Sequence, residues 1–237
     1  MKGTRSAPMK WLQGASLCAW QLLSGSALAA DSSEFWPELS AFIRLNPDTR
    51  VYLDASYARG KESDASTLDL SVALDVSIKH VPWERLWTED WQRTRTFWAR
   101  IGYTRVFKAT DSTSEVAENR GVVALYGKAP LPAEIWLEAR TRADLRWIGD
   151  DYSTRYRFKL EATREFTLYG HAVVPYLNVE WFYDTRYDSW ARTLYQAGME
   201  ISVNKSFRYE LFLARQNDRR PSEVTLNALG LVAKWYF

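Results

Sequence analysis

Long two-faced alternation is the feature that most limits what this chain can fold into. In "TLDLSVALDVSIK" the residues Leu68, Leu70, Val72, Leu74, Val76 and Ile78 share one face. Asp69, Ser71, Ala73, Asp75, Ser77 and Lys79 share the other. A period of two belongs to a β-strand whose faces meet different surroundings. "EIWLEARTRADLRW", "YSTRYRFKLEA", "TLYQAGMEISV" and "FRYELFL" repeat the pattern. Eleven such segments can be marked, at 38–46, 50–59, 67–79, 95–107, 115–127, 133–148, 152–164, 170–184, 192–203, 206–216 and 223–237. Strands of soluble proteins usually run about five or six residues; these are commonly about ten or more, the length that crosses a bilayer at a tilt.

Alternation by itself does not say which face meets water, because soluble antiparallel sheets alternate too. The aromatics decide. With Phe237 taken as one end, "NKS" and "KAPLP" fall at the same end, and "GDDY", "DTRYDSWAR" and "NDRRPSE" at the other. Trp147, Tyr152, Trp181, Tyr183 and Trp190 then gather at one rim, and Tyr169, Phe207, Tyr209, Trp235 and Phe237 at the opposite rim. Two aromatic belts around an aliphatic band are what a barrel presents to lipid. The expected fold is all-β, a transmembrane antiparallel up-and-down β-barrel. Because bacterial single-chain barrels usually have an even wall, twelve strands are expected, the missing one near "SSEFW", with ten as the alternative.

The first residues carry Lys2, Arg5 and Lys10, then a short apolar run, then Ala27-Leu28-Ala29. Basic, apolar, A-x-A is a Sec signal peptide over 1–29, cleaved between Ala29 and Ala30. Residues 30–237, undivided by any linker, form one barrel domain. Removing three of the 31 basic residues leaves slightly fewer than the 29 acids, so the formal +2 is no argument for nucleic acid. Cys18, the only cysteine, lies in that segment. Disulfides, thiolate catalysis and Cys-ligated zinc are thereby excluded from the mature chain.

The closing "LVAKWYF" resembles the C-terminal signal of Gram-negative outer-membrane proteins, carried here by Leu229, Leu231, Ala233, Trp235 and Phe237. The stretch from "DDYSTRYRFKLEATREF" through "VVPYLNVEWFYD", with Arg155, Arg157 and Pro175 to Asp184, is similar to a family of proteobacterial outer-membrane barrels catalogued as a domain of unknown function. The resemblance implies location in the cell outer membrane of a Gram-negative bacterium. It also implies lipid as surroundings, and barrel-assembly machinery and periplasmic chaperones as partners during biogenesis. It assigns no activity.

"HVPWERLWTEDWQR" breaks the rhythm. Pro82 argues against a wall strand, and Trp83, Leu86, Trp87 and Trp91 share a face at helical spacing. A short helix in the membrane interface is expected, with a tryptophan plug at the barrel mouth as the alternative. His80 and His171, the two histidines, sit in no nucleophile motif such as G-x-S-x-G. An enzyme is not expected, and neither a metal nor a cofactor is called for.

The inward faces carry the functional question. Arg140, Arg142, Arg146, Arg155, Arg157 and Lys159 form a basic stripe on two consecutive segments. Asp54, Asp69 and Asp75 come from segments further round. One reading is a narrow porin-like pore with a field across its lumen, for small ions or polar solutes. The other is that Glu138, Asp144, Glu161 and Glu180 pair with the cations and close the barrel into a structural, adhesive or assembly element. The sequence leaves both open and names neither a solute nor an oligomeric state.

Overall fold

The computed structural model describes residues 32–60, 66–78, 95–109, 117–221 and 223–237. The expected signal peptide and the helix of Trp83, Leu86, Trp87 and Trp91 lie outside them. Every alternating segment is a strand. They are β1 (Ser32–Asn46), β2 (Thr49–Gly60), β3 (Ser66–Ser77), β4 (Phe97–Ala109), β5 (Glu118–Leu131) and β6 (Ile135–Ile148). After β7 (Asp151–Arg164) and the short β8 (Phe166–Leu168) come β9 (His171–Asp184), β10 (Ser189–Ser202), β11 (Phe207–Asp218) and β12 (Val224–Tyr236). Among the described residues no helix is long and apolar enough to cross a membrane. The crossing elements are strands.

Twelve strands are present, but eleven form the wall. β8 is the continuation of β7 beyond a break, and pairs with β9 through Phe166↔Val173 and Leu168↔His171. The break lies opposite Pro175, which has no N–H to give the ladder; the regular β7–β9 register ends at Thr163↔Tyr176. An odd wall cannot close with all neighbours antiparallel. Here β1 and β12 run parallel, in register from Ser32↔Leu226 to Phe42↔Tyr236. The seam continues past the last strand, where Phe237 N–H donates to the Phe42 carbonyl at 2.9 Å and Arg44 N–H to the Phe237 carbonyl at 3.0 Å. The expected even wall is corrected accordingly. No missing strand was needed near "SSEFW", because that stretch is the start of β1.

Burial is inverted relative to a soluble protein. Ile101 and Leu177 are each 61% exposed, while Asp75, Glu118 and Asp184 are fully buried. In water that arrangement would waste about 25 cal/mol per Å² of exposed apolar surface; in lipid it is the stable one. The exterior aromatics pair at the rims as expected. Trp147 packs on Tyr152 with centroids 5.3 Å apart and Tyr183 on Trp190 at 5.7 Å, while Phe207 meets Trp235 at 5.0 Å at the Phe237 rim. The molecule is an outer-membrane-type β-barrel.

One side of the lumen is apolar. Phe182, Leu194, Phe212, Leu226 and Val232 form a cluster on β9 to β12, with Trp36 and Tyr176 packed against it. Phe212 lies between Gly198 and Gly230 of its two neighbouring strands. A Cβ on Gly230 would fall 2.0 Å from its ring, and one on Gly198 2.6 Å from its Cβ. Glycine is therefore required at both positions.

Two outcomes test this description. Gly230→Ala should destabilise the refolded barrel by about 1–3 kcal/mol through overpacking, read as a lower denaturant midpoint. The parallel seam puts Ser32 at the rim opposite Phe237. With the protein inserted in one direction, an impermeant maleimide should reach Ser33→Cys and Asp188→Cys from one side and Asn204→Cys from the other. Joint labelling of Ser33→Cys and Asn204→Cys would mean an even wall.

Candidate functional site: the charged lumen

Strand parity turns the polar residues of β1 to β11 inward, and neighbouring strands place opposite charges side by side. On β6, β7 and β9 the cations of the basic stripe each find an acid. Arg157 grips Glu180 through Nε at 2.7 Å and Nη2 at 3.0 Å, and Arg140 binds the same carboxylate. Arg142 binds Asp144, which also has Arg157 at 3.7 Å. Arg146 reaches Asp184 at 2.8 Å and Glu118 at 3.1 Å, while Arg155 donates to Asp184 at 2.8 and 3.0 Å. Lys159 Nζ is 2.8 Å from Glu161. A carboxylate held by two guanidinium forks is a strong, charge-assisted arrangement.

The pattern continues around the wall. Arg120 bridges Asp69 at 3.1 Å and Glu118 at 2.6 Å. Asp75 is shared by Arg50 at 2.8 Å and Arg100 at 2.6 Å. Those two guanidinium groups lie over the Phe42 and Tyr52 rings, at 4.5 and 3.8 Å. Near the Phe237 rim Lys234 Nζ stands 2.7 Å from Glu200, which also takes Arg208 at 3.0 Å, and Lys234 binds Glu210 as well. Asp54 is different: Ser40 Oγ lies 3.4 Å from its carboxylate and 2.9 Å from that of Glu38, and no cation pairs with Asp54 among the described residues.

The stripe is thus an ion-paired lattice and not an unopposed positive surface. Asp69 and Asp75 do not face it across an open field; arginines of β2, β4 and β5 neutralise them. Glu138, expected to pair with the stripe, makes no ion pair among the described residues and lines a cavity with Lys128, Lys159 and Glu161. That cavity, about 530 Å³, occupies the lumen toward the Phe237 rim. A second of about 320 Å³ shares Glu38, Tyr52, Arg100, Lys159 and Gln196 with it as common wall. Beyond these, Glu118, Arg146, Asp184 and Arg155 form an ion-paired cluster on the neighbouring strands β5, β6, β7 and β9. A third cavity, of about 220 Å³, lies on its far side and shares no lining residue with the other two.

Leu229, Leu231, Trp235 and Phe237 of the terminal strand point outward and are exposed, with Ala233 on the same face. His171 is exposed at the Phe237 rim, its Nδ1 3.1 Å from the Ser202 carbonyl; His80 lies outside the described residues. Glu118, Asp184, Arg50, Arg100 and Arg120 are lattice members that sequence reasoning did not single out. The signal for Arg100 and Arg120 was parity, since each shares a strand face with Gly102 and Thr104 or with Val122 and Ala124. Glu118 and Asp184 stand at strand ends, where parity says least. Glu180→Ala would leave Arg140 without its carboxylate partner and Arg157 with only Asp144, at 3.7 Å. Stability should fall by about 3–5 kcal/mol, the range for breaking a buried pair from one side, read as a shifted unfolding midpoint.

The β domain of the Bordetella autotransporter Brka has a similar solved structure, with a TM-score of 0.47 and 14% sequence identity, over 78% of this chain and 83% of that one. No curated protein sequence matches the chain. Residues 33–227, nearly the whole barrel, match the family described as Protein of unknown function (DUF2490), and the chain belongs to that family.

Proposed function

We propose that this protein resides in the outer membrane of a Gram-negative bacterium as a narrow, gated passage for small ions or polar solutes. The observation that carries the reading is the pair of joined polar cavities running inward from the Phe237 rim, with the ion-paired cluster of Arg146 beyond them. The cluster is the gate: Glu118 and Asp184 hold Arg146 and Arg155 in place, and it opens when those forks let go. Pairing of the basic stripe argues against a permanently anion-selective channel, because an acid beside each of its cations cancels the field locally. The Phe237 rim faces the periplasm, where barrel-assembly machinery and chaperones read the outward Leu229, Leu231, Ala233, Trp235 and Phe237. The apolar cluster of Phe182, Leu194 and Phe212 favours a second reading, a permanently closed structural barrel.

Planar-bilayer recording separates the two. Wild-type protein should give rare, small conductance steps. Glu118→Gln with Asp184→Asn should open more often and prefer anions, since Arg146 and Arg155 then carry unopposed charge. In a narrow lumen that charge acts within the Debye length of about 8 Å at physiological salt. Silence from both proteins, each migrating as a folded barrel, would leave the closed reading. Separately, deleting Phe237 should sharply reduce membrane-inserted protein in cells; normal insertion would mean that the terminal aromatic is incidental to assembly.

A further inference from the structure

We infer that the third cavity, at the rim opposite Phe237, is a binding site for a tetrahedral oxyanion, a phosphate-bearing solute of small size. Five arginines line it, Arg146, Arg155, Arg186, Arg192 and Arg220, against one acidic residue, Asp218. Three of the five are already answered. Arg146 and Arg155 bind Asp184, and Arg192 holds Asp218 at 2.9 Å. The guanidinium groups of Arg186 and Arg220 make no ion pair among the described residues. They are the surplus charge of the site.

Both are carried on pinned backbone. The turn bearing Arg186 is tied to β7 by Thr185 N–H to the Thr154 carbonyl at 3.0 Å, and by Thr154 N–H to Thr185 Oγ1 at 2.9 Å. Arg186 N–H itself caps Asp184 at 3.0 Å. Across the cavity, Arg219 N–H donates to the Ala191 carbonyl at 2.8 Å. That carbonyl belongs to the bulge between Trp190 and Arg192, which sets Arg192 inward. Arginines therefore line the cavity from two turns and from the strand walls. Forks arriving from several directions suit a tetrahedral anion with several acceptor oxygens better than one planar carboxylate. The lining includes the lumen-facing Phe182 and Arg192 and not the lipid-facing Trp190, so the ligand arrives from solution and not from the membrane.

Binding requires no conduction, so it stands or falls apart from the passage. Calorimetric titration of the detergent-purified protein with inorganic phosphate, in chloride at constant ionic strength, should show saturable binding. Arg186→Ala with Arg220→Ala should weaken it at least about tenfold, and Arg186→Lys with Arg220→Lys should fall between, keeping charge without the fork. Both side chains are exposed on turns, and heat-modifiable migration checks that each variant folds. Vesicles carrying phosphorylated lipid A should bind wild type and the alanine variant equally. No phosphate binding, unchanged binding by the alanine variant, or capture of lipid A alone would each overturn the site.

Discussion

In lipid, a sheet has no water to satisfy its edges, so every strand must find two neighbours. This requirement dominates the protein. Eleven strands of 12 to 15 residues are available as wall, and eleven cannot alternate direction all the way round. The parallel β1–β12 seam resolves the conflict, at the cost of a slightly weaker ladder per residue. Eleven registered residue pairs and the terminal hydrogen bonds of Phe237 make the seam long enough to hold. Closure in turn places the first described residue and the last at opposite rims.

Closure also decides what the inward faces must do. A small barrel brings the inner side chains of all its strands within reach of one another, and few can remain hydrated. Carboxylates such as Asp75, Glu118 and Asp184 are then stable only as partners of guanidinium groups. Arginine suits the task better than lysine, because one planar fork can serve two acids; Arg146 and Arg120 both do so. The apolar side, around Phe212, needs no such pairing and fills its share of the lumen by volume alone. The cavities persist where neither solution is complete, between the lattice and the aromatic wall. The surplus positive charge of Arg186 and Arg220 lies at the far rim, where exposed turns allow a cation to remain hydrated.

Much of the wall was legible because period two is a local property. The Leu68 to Ile78 face, the rim pairs Trp147–Tyr152 and Tyr183–Trp190, and the outward Leu229 to Phe237 series all follow from parity and end-to-end order. The lattice was half legible. Arg140, Arg157 and Glu180 could be set on the inner face from sequence, but which acid meets which base depends on register between strands. Register brought Arg155 opposite Asp184, and Arg120 opposite Arg146 with Glu118 beside both. Glu138 was placed on the correct face yet makes no ion pair among the described residues, although register sets Lys128 opposite it on one side and Glu161 on the other.

What the sequence by itself determined is the strand as a unit: its length, its two faces, the aromatic ends and the number of alternating segments. Each of these is set by side chains a few residues apart. What only the tertiary structure decided is how the ends of the sheet meet and what the meeting encloses. The parallel seam, the Arg140–Glu180 and Arg50–Asp75 pairs, the ion-paired cluster of Arg146 and the cavity that gathers Arg186 and Arg220 arise from contacts between residues tens of positions apart. Those contacts are fixed by closure and register, and no local pattern carries either.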